Sequence, residues 1–201
     1  MENSITIMPL RELAKEIFTG VPIYNVSAVN GDSESIPLIN IKDIIEGQVI
    51  KSGLSYIRRT NLKNIEKSTV FPSDILITCR GTQLKVAVVP NTLPQALITS
   101  NLIAIRLGEQ MIPGFLSAYL KSTYGQQALL SRATSSTTQL VLTISQIGGM
   151  EIPVPPLSLQ AKIANFANAA AEQYRLSIES ANLMRIISNQ IIINMLSNKE
   201  D

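Results

Sequence analysis

Asp74 followed by Gln83-Leu84-Lys85 has the order of side chains used by metal-dependent nucleases, where carboxylates hold Mg2+ and a lysine steadies the hydroxide. The pattern is incomplete, because it offers one carboxylate and Arg80-Gly81 interrupts its second strand region. There is no histidine, and Cys79 is the single cysteine. These absences exclude Ser-His-Asp hydrolysis, Cys-His nucleophilic attack, imidazole acid–base work, His-ligated zinc and a cysteine-rich metal site within one chain. An Asn-Pro-Pro-aromatic tetrad is missing, and so is a glycine-rich strand-to-helix turn for a nucleotide cofactor. The sequence therefore points to no bound metal or cofactor and to no enzyme of these classes.

Charged side chains offer binding instead. Net charge is only +2, but residues 42–85 hold eight basic side chains against four acidic ones. Residues 1–41 hold two against five, and residues 151–201 four against five. A basic middle between less basic ends attracts a polyanion. Arg58, Arg59 and Lys63 form one candidate cluster for phosphate or groove contact, Arg80 with Lys85 flanks a turn as a second, and Lys51 is a further candidate for DNA binding. Between Ser131 and Gln139 a small polar segment supplies Arg132, Thr134, Ser135, Thr138 and Gln139, donors suited to phosphates and base edges. It reads as a loop.

The elements that must carry these residues follow from periodicity. Leu10, Leu13, Ala14 and Ile17 have helical spacing, which predicts a helix from Leu10 to Phe18 with Gly20 as its stop. Asn30-Gly31-Asp32-Ser33 is a turn signal. Short strand-like runs follow at 36–41, 49–50, 75–78, 86–89 and 102–107, an irregular sheet. Pro113 suits the first turn of a helix reaching about Thr123, and a second helical piece covers Gln126 to Ser131. Ile152-Pro-Val-Pro-Pro-Leu157 must be extended, with Ser158 as an N-cap beyond it. From Leu159 to Asn198 no Pro or Gly intervenes, which allows ~40 residues and ~60 Å of helix. Ile163, Ala167, Ala170, Tyr174, Ile178, Ala181, Met184 and Ile191 form a stripe along it. Leu176, Leu183, Ile186 and Ile193 fall largely off that stripe, so this helix needs company. The expected fold is α+β: an irregular mixed sheet with short helices over residues 1–150, then a proline strap and a long coiled-coil helix over 151–201.

With 45% apolar residues in 201, a core needs no disulfide or metal, although aromatics are only 4% and Trp is absent. A lone cysteine fits a reducing cytoplasm. Neither a signal peptide nor a membrane-spanning run is evident. A mean hydropathy of +0.20 suggests apolar surface kept for a partner.

The segment Ile152-Pro153-Val154-Pro155-Pro156-Leu157, with Gln160 after it, resembles the end of a recognition domain in the DNA-specificity subunits of type I restriction–modification systems. Leu159 stands where that family has a glutamate. Further matches run along the chain: Pro9 to Leu13 with Gly20, Ile36-Pro37-Leu38-Ile39 with Asp43-Ile44 and Gly47, and Ser73-Asp74-Ile75-Leu76-Ile77 with Arg80-Gly81-Thr82 and Lys85-Val86-Ala87. Ser73 replaces a glycine. The resemblance implies a non-catalytic reader of one half of a split double-stranded DNA target, docked to a modification (methyltransferase) subunit and a restriction subunit. One recognition half implies self-association through the helix as a homodimer. Two alternatives stay open: a nuclease using Asp74 and Lys85, and a helix-borne adaptor that does not read DNA.

Overall fold

The computed structural model describes residues 5–22, 34–59, 65–135 and 139–197. In chain order it runs β1 (Thr6–Pro9), α1 (Leu10–Leu13), β2 (Ala14–Thr19), β3 (Ser35–Ile39), β4 (Ile44–Ile45), β5 (Gln48–Val49), β6 (Ser55–Arg58) and β7 (Thr69–Val70). Then come β8 (Ile75–Thr78), β9 (Arg80–Gly81), β10 (Val86–Val88), β11 (Ala96–Ile98) and β12 (Leu102–Leu107). The chain ends with α2 (Pro113–Lys121), α3 (Thr123–Arg132), β13 (Thr134–Ser135), β14 (Leu140–Val141), α4 (Ile144–Gly148), β15 (Glu151–Val154) and α5 (Leu157–Ser197).

Six strands form the central sheet in the order β2-β12-β8-β10-β5-β4, and four form a second in the order β6-β3-β11-β7. Alternation along the strands explains how they stack. Ile75, Ile77, Val86, Ile103 and Ile105 turn toward the helices and meet Phe115, Leu116, Leu120, Leu129 and Ile147. Their neighbours Leu76, Ala87, Leu102 and Ala104 turn the other way and meet Ile39, Val70, Ala96 and Ile98 of the second sheet. The result is helices, sheet and sheet in three layers, the α+β mixture that the pattern predicts.

The predicted helix over Leu10–Phe18 is corrected: helix ends at Leu13, and Ala14–Thr19 is strand β2, paired antiparallel with β12. The reason is visible in two adjacent side chains. Ile17 packs on the helix-side core and Phe18 on the sheet-side core, a period of two that helical spacing had masked. The turn expected at 30–33 lies outside the described residues. Ser158 is not the N-cap, since α5 starts at Leu157 and the carbonyl of Pro156 accepts from the amides of Leu159 and Gln160.

Asp74 is structural. It is buried and accepts from Arg106 at both oxygens, Nε at 3.1 Å and Nη2 at 2.8 Å, and from the Phe71 amide at 2.9 Å. Arg106 also donates to Glu16 Oε2 at 3.0 Å and to the Thr69 carbonyl at 3.1 Å, and lies over the rings of Phe18 and Phe71. The Asp74 carboxylate holds the guanidinium pKa above its usual value. This cluster ties β2, β8 and β12 to β7. Asp74→Ala strands part of a charge network and is expected to cost about 3 kcal/mol of stability by denaturant unfolding.

The strap and the root of α5 complete the core. Ile152, Gln160 and Ala164 are buried, and β15 pairs antiparallel with β1. At Gly114 the helices come so close that a Cβ would stand 3.0 Å from that of Ala164. The strap and the first turns of α5 are thus packed against the rest of the fold.

Candidate nucleic-acid interface

Arg80 sits where the chain leaves the central sheet. β8 ends at Thr78, and Cys79 donates its amide to Asn101 and accepts from Leu142. Burial raises the pKa of the Cys79 thiol, against the lowering influence of Arg80's charge, so the thiol stays protonated and serves as packing. Beyond it, Arg80–Gly81 becomes the edge of a three-stranded ribbon, β13-β14-β9, with Val141 opposite Arg80 and Thr134 opposite Val141. The polar segment expected as a loop is therefore partly a hairpin, joined side by side to the Arg80 turn. Backbone pairing between distant segments achieves this.

The outer strand of the ribbon is anchored by α4. Thr143 and Gln146 form a reciprocal cap, and the same Gln146 side chain donates to Thr134 Oγ1 at 3.4 Å. Arg80, Thr82, Gln83, Thr134 and Gln139 are exposed on this side of the molecule's surface. Thr82 and Gln83 are additions to the sequence reading. Their signal was a polar tip between the apolar runs of β8 and β10, which the nuclease pattern had claimed.

Other predicted side chains are placed differently. Lys85 Nζ donates to the carbonyls of Ile44 at 2.7 Å and Ile41 at 3.2 Å, so its ammonium is committed inside the fold. Arg132 turns inward too, with Nη2 3.1 Å from the Gly149 carbonyl. Arg58 and Arg59 are exposed at the end of the edge strand β6, where Arg58 stands opposite Ser35. Lys51, also exposed, precedes the other end of β6, near Leu38. That end leads to Ile41, whose Cδ1 lies 3.8 Å from the position of a Cβ on Gly81. Ser35, opposite Arg58, is six residues before Ile41, so the Arg58–Arg59 pair lies at the far end of β3 from that contact. Lys63 and Thr138 lie outside the described residues, and for Ser135 only the backbone placement is described.

The nuclease arrangement is not formed. In the β8–β10 pair, Asp74 faces Val89 at one end and Lys85 faces Thr78 at the other. Both groups have the internal partners given above. No cluster of three potential metal-ligating side chains occurs among the described residues.

The second surface is α5, 41 residues long. Ile163 and Ala167, the first members of the predicted stripe, are half-buried beside the chain's own globular part, and Ile163 packs on its core. Ile178 is half-buried as well. Ala170, Tyr174, Ala181, Met184 and Ile191 are exposed, and every residue from Glu179 to Ser197 is. Leu183, Ile186, Ile187, Ile192, Ile193 and Leu196 are each about half exposed or more. At 100° per residue they cover all sides of the cylinder. Arg175 bridges Glu172 and Glu179 along the surface, an exposed local pairing that steadies this helix only slightly.

A family model described as the type I restriction modification DNA specificity domain matches residues 7–176. No curated protein matches the chain by sequence. Among solved structures it is similar to the HsdS subunit from Thermoanaerobacter tengcongensis, with TM-score 0.66 and 19% identity over 96% of this chain and 48% of that one. It is similar also to the type I restriction-modification S subunit of M. genitalium, with TM-score 0.62 and 17% identity over 99% of this chain and 47% of that one. A third likeness is to the type IIG restriction endonuclease BpuSI, with TM-score 0.57 and 9% identity over 81% of this chain and 26% of that one. At these identities the structures establish a shared fold. The chain spans slightly less than half the length of either S subunit.

Proposed function

Because this chain belongs to the type I restriction modification DNA specificity domain family, we propose that it reads one half of a bipartite double-stranded DNA target and carries no catalysis of its own. The observation that carries the reading is the ribbon, which unites Arg80 with the Thr134–Ser135 strand on an exposed edge. Arginine at such an edge can bind a phosphate or a guanine edge, and hydroxyl and amide side chains beside it supply shorter-range contacts. Arg58, Arg59 and Lys51 form a second, phosphate-directed group along β6. Lys85 and Arg132 are weaker candidates, because Lys85 gives two donors and Arg132 one nitrogen to backbone carbonyls.

In this reading the modification and restriction subunits dock on the assembly, and two copies join through α5 to present two recognition halves. A symmetric pair of readers requires a palindromic split target. No helix among the described residues is long and apolar enough to cross a membrane, and the buried thiol suits a reducing cytoplasm.

Selection of bound sequences from random duplex DNA, using the full chain with its modification subunit, tests the proposal. A split symmetric motif is expected; recovery of no motif sinks it and favours the adaptor alternative. Arg80→Ala is expected to weaken binding and, if the contact is to a phosphate, to reduce the slope of log K against log salt by about 0.9. An unchanged affinity removes Arg80 from the interface.

A further inference from the structure

The 40–50 loop, which carries the short strands β4 and β5 at the edge of the central sheet, is held from two sides by lysines of different parts of the fold. Its own backbone attachment to the central sheet is thin, since β5 meets β10 at one residue pair, Gln48 with Val88. Inside the loop, Asn40 and Asp43 cap each other: Asn40 Oδ1 accepts from the Ile41 amide at 2.8 Å, and Asp43 Oδ2 accepts from the Asn40 amide at 2.8 Å. The turn at its tip has positive φ at Glu46 and Gly47. From the Arg80 side, Lys85 Nζ reaches the carbonyls of Ile41 and Ile44. From the helix side, Lys121 at the end of α2 donates to the Gly47 carbonyl at 2.9 Å. A Cβ on Gly47 would stand 2.6 Å from that ammonium, so glycine serves both the turn and the lysine's approach. Desolvation at this site lowers the pKa of Lys121.

Helix α2 is itself bonded to α5: Gln160 Oε1 accepts from the amide of Ile112, the residue before α2. The contacts thus form one series from α5 to the start of β10. It passes through Gln160, α2, Lys121, the loop and Lys85. The loop carries exposed Lys42 next to Ile41, which lies against the Arg80 turn.

We infer that Lys85 and Lys121 are positioning residues for DNA reading, which pin the 40–50 loop so that its exposed side chains stand in register with the Arg80 ribbon. The inference rests on the DNA-reading function proposed above. Charge-assisted bonds to carbonyls are short and strong, and they occupy one of the three donors of Lys121 and two of the three of Lys85. A positioning lysine and a phosphate-binding lysine therefore differ in salt dependence. Loss of the first lowers discrimination between sequences; loss of the second weakens every duplex alike.

Two measurements on the full chain test this. In the free protein, Lys121→Met and Lys85→Met are expected to speed amide hydrogen exchange at Asp43 and Ile50 about tenfold, with β8 and β12 unaffected. Unchanged protection in Lys121→Met, the milder surface substitution, overturns the inference even if Lys85→Met does not fold. With the modification subunit present, each variant is compared on a duplex recovered by selection and on a duplex of scrambled sequence. The expected result is a roughly tenfold loss of the affinity ratio with an unchanged salt slope. A slope lower by about 0.9, with equal losses on both duplexes, overturns the inference and makes the lysine a phosphate contact. Wild-type selection with an unaltered ratio in the variants overturns it alone. Failure of the wild type to select any motif overturns the DNA reading and this inference together.

Discussion

Met184→Glu combined with Ile191→Glu is expected to abolish self-association while leaving the globular part folded. Both side chains are exposed on the part of α5 that has no contact with the chain's own domain. Burying a Met or an Ile against a partner is worth about 2 kcal/mol each, and a buried carboxylate reverses that gain. Together the two changes should weaken a dimer by about a thousandfold or more. Sedimentation at tens of micromolar should then report a monomer for the variant and a dimer for the parent. A parent that sediments as a monomer with an unchanged ability to bind DNA would sink the dimer. The apolar residues would then belong to a different subunit's interface. Two helices in contact cover one stripe each, whereas the segment from Leu183 to Leu196 is apolar on all sides.

Gln160→Ala is expected to cost about 3 kcal/mol or more of stability, since it deletes a buried amide and leaves three backbone groups without partners. The Gln160 side chain is fully buried, accepts from the Ile112 amide at 2.8 Å, and donates to the carbonyls of Gln110 at 3.0 Å and Pro155 at 2.9 Å. It joins the proline strap, the start of α2 and the first turn of α5 at one point. Losing it should loosen the direction in which the long helix leaves the domain, and for ~200 residues should lower the Tm by roughly 6–12 °C. Gln160→Glu provides the control for the donor half of the amide. An ionised carboxylate accepts from Ile112 but cannot donate to either carbonyl, so the folded state raises the pKa of the new group. Stability is then retained below the ordinary carboxylate pKa and lost as pH rises through the elevated folded value. The variant should therefore unfold more easily at pH 7 than at pH 4, relative to the parent at each pH. A pH-independent difference would mean that donation by the amide does not matter.

The family resemblance draws attention to Gln160, but its role needs coordinates. Two of its three partners, Gln110 and Ile112, lie far back in the chain. The same limit hides where two of the candidate cations sit. Lys85 and Arg132 have the residue type, surroundings and local polarity of DNA contacts, and each instead finds a backbone carbonyl supplied by another segment. No spacing rule anticipates that, because a carbonyl belongs to every residue and carries no signature. Asp74 is the converse case. Its position in a nuclease-like pattern is local, and its partner Arg106 is brought by the adjacent strand β12.

What the residues determine by themselves is whatever has a period or a prohibition. Alternating apolar runs specify β8, β10 and β12. Three prolines forbid helix in the strap, and forty residues without Pro or Gly permit α5. The lack of histidine and the single cysteine rule out whole classes of chemistry. Helical spacing over Leu10–Ile17 misled because it holds for Leu10 and Leu13 in α1 but runs on by coincidence through Ala14 and Ile17, where only pairing with β12 selects the strand. The tertiary structure alone decides that the Arg80 turn and the Thr134 hairpin share a ribbon, which lysines stay outside and which turn in, and where α5 stops touching its own domain. Those outcomes depend on hydrogen bonds and packing between segments tens of residues apart, and such contacts exist only once the chain has closed on itself.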